Sequence, residues 1–264
     1  MIGIFDSGLG GLSAYKELRA LRPEEDYLYF GDTGRVPYGT RSKATLEKYT
    51  RQDIAFLRAR GVDAILAACG TVSSVVLDDV KDEYDLPIFG VVDAAADAAV
   101  AATKNEKIGV LGTGATISSR AFERKIRAKD PDALVVARAC PLFVPLVENG
   151  YVARDCEVTR LVARDYLADV KAAGVDTLIL GCTHFPLIAD IIADLLPKVT
   201  LINAGAAAAH AVARALPRRT DTGGSAAFFV SDDPANFDEV ARIFLGGDTI
   251  SAEKVDIDTF AAEI

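Results

Sequence analysis

The sequence lacks any run of about 18 consecutive apolar residues, the length that a transmembrane helix requires. A strand-like segment (residues 2–5) follows Met1 directly, so there is no room for the charged and apolar regions of a secretory signal peptide. We therefore expect a cytoplasmic protein that has no membrane partner.

Positive charge is scarce. The chain has 29 lysine and arginine residues and 38 aspartate and glutamate residues, which gives a formal net charge of −9 at pH 7. Proteins that bind nucleic acids or anionic membranes usually carry a basic surface, so neither is an expected partner. If the substrate is an anion, local backbone dipoles must attract it against the field of the whole chain.

Metal and nucleotide motifs are also missing. The four cysteines form no CxxC pair and the chain has only two histidines, which argues against a structural zinc site. The glycine-rich run at residues 8–11 is not GxGxxG, and no P-loop sequence occurs, so a tight turn is the better interpretation. We expect free thiols, no metal and no cofactor.

What the sequence does contain is an internal repeat. The segment GVDAILAACGT (61–71) returns as GVDTLILGCTH (174–184), and Gly, Val, Asp and Cys match position by position. Upstream, IGIFDSG (2–8) returns as IGVLGTG (108–114). The repeat predicts two related halves, each with a cysteine at the same kind of strand end.

Two domains follow from the repeat. The first is expected to comprise residues 1–97 and 206–264, and the second residues 98–205. The tail 206–264 has one predicted strand and two predicted helices, too few for a domain of its own, so we expect it to pack on the first half.

Short apolar segments alternate with amphipathic helical patterns along the chain, which indicates parallel sheets covered by helices. We predict an α/β fold with two pseudo-symmetric domains, each a mainly parallel sheet flanked by helices. The active site is expected in the cleft between them, at the carboxyl ends of the strands. The predicted strands are 2–5, 27–30, 64–68, 87–92, 107–111, 134–137, 177–180, 199–202 and 226–230.

Polar side chains follow several predicted strands where a helix should begin. The start of a helix has unpaired N–H groups and a partial positive charge, so a cysteine there should have a lowered pKa. The same N–H groups can bind a carboxylate without lysine or arginine. Two thiols in one cleft suit a reaction that removes a proton from one face of a carbon and returns one to the other. These strand ends carry Asp6 and Ser7; Cys69, Gly70 and Thr71; Thr113 and Thr116; and Cys182, Thr183 and His184.

Simpler structural roles also fit several candidates. Asp6 could assist the first thiol or form the N-cap of the first helix, and His184 could orient the second thiol or merely occupy a first helical turn. Thr113 and Thr116 are typical capping residues.

Three further residues have only structural interpretations from their surroundings. Cys140 and Cys156 lie outside the repeat, so we expect them to act as small apolar side chains. Glu148 in PLVENG is typical of a surface carboxylate.

Four segments, in this order and spacing, resemble signatures of the glutamate racemase family and, more loosely, of the aspartate/glutamate racemase superfamily. They are IGIFDSGLGGLS, YFGDTGRVPYG, CPLFVPLVENG and LILGCTHFPL, and the resemblance covers nearly the whole chain. It implies a cofactor-free racemase that supplies D-glutamate for peptidoglycan. It also implies two pseudo-symmetric domains with the active site between them, commonly in a homodimer.

The resemblance also assigns roles to residues. It implies Cys69 and Cys182 as the two catalytic thiols. Asp6 and His184 match their polar assistants, and Glu148 becomes a candidate assistant of His184. The residues that match substrate-binding positions are Asp6, Ser7, Pro37, Tyr38, Gly39, Gly70, Thr71, Thr113, Thr116, Cys182, Thr183 and His184.

The chain departs from the family pattern at three positions. Gly70 stands where the family usually has asparagine, Ala94 where it often has proline, and Asn203 where it often has aspartate. An amide hydrogen bond to a charged substrate is worth about 1.5–3 kcal/mol, so its loss at Gly70 would shift affinity or preference by about one to two orders of magnitude.

The leading hypothesis is proton transfer at the α-carbon of glutamate. By resemblance, Cys69 would deprotonate the D enantiomer and Cys182 the L enantiomer. Two alternatives stay open. One is a racemase of aspartate or of another small acid or hydantoin, for which Gly70 leaves room. The other is a catalytically weak homologue with a regulatory binding role, for example towards DNA gyrase.

Overall fold

The computed structural model describes residues 1–220 and 223–260, and within these ranges the chain forms two parallel sheets, of six and four strands. The first sheet has the strand order β10-β9-β2-β1-β3-β4 and the second the order β6-β5-β7-β8. The strands are β1 (Ile2–Asp6), β2 (Tyr27–Gly31), β3 (Ala64–Ala67), β4 (Ile88–Gly90), β5 (Lys107–Gly112), β6 (Leu134–Ala139), β7 (Thr177–Leu180), β8 (Thr200–Asn203), β9 (Ala226–Val230) and β10 (Ala252–Lys254).

Helices connect these strands. Over the described ranges, no helix is both long enough and apolar enough to cross a membrane. Short 3-10 helices at Thr33–Arg35, Tyr38–Thr40, Lys81–Glu83, Phe185–Ile188 and Ile257–Thr259 supplement the α-helices. The α-helices are α1 (Leu12–Leu21), α2 (Lys43–Ala59), α3 (Gly70–Val75), α4 (Leu77–Val80), α5 (Val91–Ala102), α6 (Gly114–Ser119), α7 (Ala121–Lys129), α8 (Phe143–Glu148), α9 (Glu157–Tyr166), α10 (Ala168–Ala173), α11 (Ala189–Leu195), α12 (Ala204–Ala215) and α13 (Pro234–Leu245).

The strand order repeats between the two sheets. The run β2-β1-β3-β4 corresponds to β6-β5-β7-β8, and every pairing in both runs is parallel. The prediction of an α/β fold with two pseudo-symmetric halves is therefore confirmed. Because β3 and β7 take the same place in their sheets, the residues that follow them lie at equivalent corners.

Each of the nine predicted strands overlaps an observed one, with two differences. The segment 87–92 was too long as a strand, because Gly90 is the N-cap of α5 and Val91 is already helical. Strand β10 was missed because it has only three residues (AEK), of which Glu253 and Lys254 are exposed. Such a segment has no apolar run that would reveal it.

The two halves are joined by helices as well as by the chain. Strand β9 pairs with β2 and β10 with β9, so both tail strands belong to the first sheet. Helix α5 crosses the predicted boundary at 97/98 and packs against β7 and β8 of the second sheet, while α12 crosses the boundary at 205/206 and packs against α1 and α5. The division into 1–97 with 206–264 and 98–205 stays a prediction, and residues 221, 222 and 261–264 of the first domain lie outside the described residues.

Candidate active site

The two repeated cysteines follow equivalent strands but precede different turns. Cys69 follows β3 and is the N-cap of α3. Cys182 follows β7, but the segment after it is the short 3-10 helix Phe185–Ile188, whose N-cap is His184. The expectation of a helix at both corners is therefore met in full only at Cys69. Both sulfur-bearing side chains are buried, with 5% and 7% of their residues' surface exposed.

Both cysteines line one cavity of about 460 Å³, which lies between the two halves. A volume of this order suits a small-molecule ligand. Of the residues proposed from the sequence, the cavity lining includes Ser7, Pro37, Tyr38, Gly39, Cys69, Gly70, Thr71, Thr113, Glu148, Cys182, Thr183 and His184. Asp6 and Thr116 are buried behind the cavity wall.

Several lining residues were missed by sequence reasoning. Cys140, assigned above to a purely structural role, lies in the wall of the cavity. It directly follows β6, which corresponds to β2 in the other half, and the loop after β2 also lines the cavity. The symmetry of the repeat could have identified it. The other missed lining residues include Gly8, Val36, Thr40, Pro141, Val144, Pro145 and Gly181.

The surroundings of Cys69 contradict the expected lowering of its pKa. Burial, and next the nearby carboxyl group of Asp6, raise the pKa of the Cys69 thiol to about 12, although the N–H of Val72 at the start of α3 acts in the opposite direction. The thiol lies 3.8 Å from the hydroxyl oxygen of Ser7, to which it donates a hydrogen bond. Desolvation thus outweighs the helix N-terminus at this corner.

Asp6 is fully buried at the end of β1. Its Oδ2 accepts a hydrogen bond of 3.0 Å from the N–H of Gly8, and its Oδ1 has no hydrogen-bond partner among the described residues. Burial raises its pKa, and the positive charge of His184 opposes this shift. The alternative role as N-cap of the first helix is wrong, because α1 begins at Leu12 and its N-cap is Gly11.

A chain of polar contacts leads away from the second thiol. The sulfur of Cys182 lies 3.9 Å from Nδ1 of His184, and Nε2 of His184 lies 2.9 Å from Oε1 of Glu148. Burial by itself lowers the pKa of His184, but the contacts with Cys182 and Glu148 outweigh burial and raise it to about 10. The Phe244 ring, from α13, packs perpendicular to the imidazole, with 5.3 Å between the ring centroids. Glu148 is therefore more than a surface carboxylate, although 40% of its side chain is exposed.

Hydroxyl groups connect the two halves across the cavity. Thr71 Oγ1 and Thr113 Oγ1 are 3.0 Å apart, so the corner after β3 contacts the corner after β5. Thr113 also caps α6 by accepting the N–H of Thr116 at 3.3 Å, and it donates to the Thr116 hydroxyl at 3.0 Å. The capping interpretation of Thr113 is thus correct, and it coexists with a position in the cavity wall.

Buried charged side chains hold the loop after β2 in place. The hydroxyl of Tyr38 donates to the carboxylate of Asp32 and lies 3.2 Å from that of Asp53. Arg35 forms ion pairs with both carboxylates, at 2.6 Å and 2.9 Å. The hydroxyl of Tyr38, a residue of the cavity wall, is therefore engaged by these carboxylates.

The cavity wall has few formal charges. Among the described residues that line it, none is lysine or arginine, so a bound carboxylate would depend on backbone N–H groups and hydroxyls. The described residues contain no cluster of three or more His, Cys, Asp or Glu side chains that could hold a metal ion.

Comparison with known proteins identifies the class to which this fold and cavity belong. The sequence pattern of the Asp/Glu/Hydantoin racemase family matches residues 13–212, and the chain belongs to that family. Its relatives include the glutamate racemases of Geobacter metallireducens, 44% identical over 93% of both chains, and Neisseria gonorrhoeae, 43% identical over 93% of this chain and 92% of the relative. The resemblance seen in the sequence is thereby confirmed.

Solved structures agree with this assignment. Glutamate racemase from Francisella tularensis, in complex with D-glutamate, superimposes with a TM-score of 0.91 at 36% identity over 98% of both chains. Glutamate racemase from Thermus thermophilus, in complex with β-chloro-D-alanine, gives a TM-score of 0.88 at 41% identity over 97% of both chains.

The pKa of Cys69 leads to a prediction about thiol reactivity. The thiolate is the reactive form, so the rate of Cys69 alkylation by iodoacetamide should rise about tenfold per pH unit from about pH 7 to pH 10. Cys156 has a pKa lowered by its hydrogen bond with Thr159, so its rate should level off at a lower pH. Mass spectrometry of the alkylated peptides measures both rates in one sample. A Cys69 rate that levels off together with that of Cys156 would contradict the raised pKa.

The contact between His184 and Glu148 leads to a second prediction. Because Glu148 helps to raise the pKa of His184 to about 10, the Glu148→Gln variant should titrate His184 at a lower pH, nearer the ordinary value of 6.5. The chain has two histidines, so NMR titration of the imidazole resonances is simple, and the His210→Gln variant assigns them. An unchanged titration of His184 in Glu148→Gln would show that Glu148 does not act on it.

Proposed function

We propose that this chain is a cofactor-independent glutamate racemase that interconverts L- and D-glutamate by proton transfer between two thiols. The observation that carries the proposal is the pair of cysteines, one from each half, that line a single cavity. The glutamate racemases at 43–44% identity support the choice of substrate. The D-glutamate complex of the Francisella tularensis enzyme, at a TM-score of 0.91, supports the same substrate class.

In the proposed reaction one sulfur removes the α-hydrogen and the other supplies its replacement. The thiolate of Cys69 takes the proton from the α-carbon of D-glutamate, and the thiol of Cys182 delivers a proton to the opposite face. The product is L-glutamate, and the reverse reaction begins with Cys182 as the base. Each turnover exchanges the protonation states of the two sulfurs, so no outside acid or base is consumed.

The polar neighbours would assist each sulfur differently. His184 is protonated at neutral pH because its pKa is about 10, and it places a positive charge beside Cys182. Cys69 has no such cation beside it among the described residues, and burial together with Asp6 raises its pKa. The ammonium group of the substrate would supply positive charge near Cys69 and Asp6, and so favour the thiolate there. Asp6, buried beside Cys69, and Glu148, which contacts His184, act as positioning residues in this scheme.

The cavity wall would hold the substrate by neutral groups. Hydroxyls of Ser7, Thr71, Thr113 and Thr183, together with backbone N–H groups at the corners and at Tyr38–Gly39, are the donors available to its carboxylates. Fixed donors around the α-carboxylate also stabilise the charge that develops when the α-proton leaves. An acidic protein can bind an acidic substrate in this way.

The cellular role follows from the proposed activity. D-Glutamate made by this chain would supply peptidoglycan synthesis in the cytoplasm. We propose the homodimer as the working form, as the family resemblance implies.

The two-thiol scheme is tested by isotope exchange. In D2O, each glutamate enantiomer should racemise, and deuterium should appear at the α-carbon of the product. Cys69→Ser and Cys182→Ser should each reduce racemisation by at least about 10³-fold, because serine is a far weaker base than a thiolate. Cys156→Ser, outside the cavity, is the matched control and should racemise normally. Full racemisation by either single cavity variant would refute the scheme.

Substrate choice is tested with a panel of amino acids. Glutamate should exceed aspartate in kcat/KM by about 100-fold or more, because a missing methylene displaces the distal carboxylate from its fixed donors. Circular dichroism follows loss of optical activity for each L-amino acid. Faster turnover of aspartate would favour the alternative racemase, and tight binding of glutamate without exchange would favour the regulatory homologue.

A further inference from the structure

Helix α2 carries a carboxyl group that is buried behind the cavity wall. Asp53 lies within α2 and none of its surface is exposed. Its Oδ1 lies 2.9 Å from Nη2 of Arg35, and its Oδ2 lies 3.2 Å from the hydroxyl oxygen of Tyr38. Tyr38 is buried as well and lines the cavity. Asp53 therefore connects a helix of the first half to the loop that forms one side of the candidate active site.

The hydroxyl of Tyr38 has a single proton, and two carboxyl groups face it. Burial raises the pKa of Tyr38 well above its ordinary value, so the hydroxyl keeps this proton. The proton is donated to Oδ2 of Asp32, which is the nearer of the two groups. The remaining contact brings the Tyr38 oxygen and Oδ2 of Asp53 together, and a hydrogen bond there needs a proton from Asp53.

Asp32 has no such need, because donors face both of its oxygens. The hydroxyl of Ser231 donates to Oδ1 at 2.7 Å. Oδ2 accepts hydrogen bonds from Nε of Arg35 at 2.6 Å and from the hydroxyl of Tyr38. Three donors suit a carboxylate, which can only accept. Asp53 instead faces one donor, Nη2 of Arg35, and one oxygen whose own proton is already used.

The charges around Asp53 lead to the same assignment. Arg35 contributes one positive charge, and among the described residues no second lysine or arginine forms an ion pair with Asp32 or Asp53. The same guanidinium also lies 3.9 Å from the exposed carboxylate of Asp258. Two ionised carboxylates would leave a buried negative charge unpaired, which is costly. Burial, and next the charge of Asp32, raise the pKa of Asp53 well above its ordinary value, and the buried Asp6 adds to this shift.

We propose that Asp53 is a positioning residue that keeps its proton at neutral pH and donates it to the Tyr38 hydroxyl, which holds the loop 36–40 in the cavity wall. All five residues of this loop line the cavity. The loop also meets the second half, since a Cβ built on Gly39 would lie 3.0 Å from the Cβ of Thr113. The inference rests on the proposed function in one respect, namely that the loop provides N–H donors to glutamate.

Asparagine substitutions at the two positions distinguish a carboxylic acid from a carboxylate. An amide has one oxygen acceptor and one N–H donor group, so at position 53 it can reproduce both contacts of a protonated acid. Asp53→Asn should therefore keep the KM for glutamate within about threefold of the wild-type value. At position 32 the same change turns an N–H group towards a donor, so Asp32→Asn should raise the KM by about 10-fold or more. Equal losses in the two variants would contradict the proposal.

A double-mutant cycle tests whether Asp53 acts through Tyr38. Asp53→Leu removes both hydrogen bonds at a similar side-chain size. It should raise the KM by about 10-fold and change kcat by less than about threefold, because the loop carries neither sulfur. Tyr38→Phe removes the hydroxyl alone, and the double variant should lose little more than the worse single variant. Losses in KM that add fully, or an unchanged KM in Asp53→Leu, would overturn the positioning role.

NMR measures the protonation of Asp53 in the unaltered protein. Aspartate is labelled with ¹³C, and each carboxyl resonance is assigned through the backbone signals of its own residue, so no variant has to fold. At pH 7 the Asp53 resonance should have the chemical shift of a protonated carboxyl group, unlike the ionised carboxylates of exposed aspartates. A carboxylate shift for Asp53 at pH 7 would overturn the proposal.

Failure of this proposal can be distinguished from failure of the proposed function. If the wild-type protein does not racemise glutamate, the function fails, and calorimetric affinity for glutamate replaces KM in the comparison of variants. The chemical shift of the Asp53 carboxyl group decides its protonation in either case.

Discussion

The cost of charge inside the cavity is the constraint on which the chemistry of this site depends. Burial raises the pKa of both Cys69 and Asp6, so the first half favours neutral groups around its sulfur. The second half differs, because contacts with Glu148 and Cys182 keep His184 protonated despite burial. The two halves share a fold but not an electrostatic environment. A substrate that brings its own ammonium group would reduce this imbalance.

The same constraint explains how an acidic chain can provide an anion site. A buried lysine or arginine would need a permanent partner, whereas backbone N–H groups and hydroxyls carry only partial charges and cost little to bury when bonded. Thr71 and Thr113 are an example. Their hydroxyl oxygens lie 3.0 Å apart and connect the two halves, and both residues line the cavity. The ion pair of Arg35 and Asp32 lies one layer behind the wall, where it holds the loop that carries Tyr38.

Much of this arrangement could be predicted from the sequence, because repetition is visible there. The matched segments that contain Cys69 and Cys182 predicted the equivalence of β3 and β7, and the strand order confirms it. Effects that depend on the final packing could not be predicted. Desolvation reversed the expected pKa shift of Cys69. Cys140 is a different case, because the equivalence of β2 and β6 could have placed it in the cavity wall. The close approach of Gly70 to Gly181, which lies 111 residues further along the chain, is the clearest example of an effect of the final packing.

The order of strands along the chain has a consequence for how the protein is made. The second sheet uses one continuous segment, from β5 at Lys107 to β8 at Asn203, whereas the first sheet also requires β9 and β10 from beyond residue 225. Domains generally fold as units during synthesis. All strands of the half that contains Cys182 are therefore synthesised before the other half has received its last two strands.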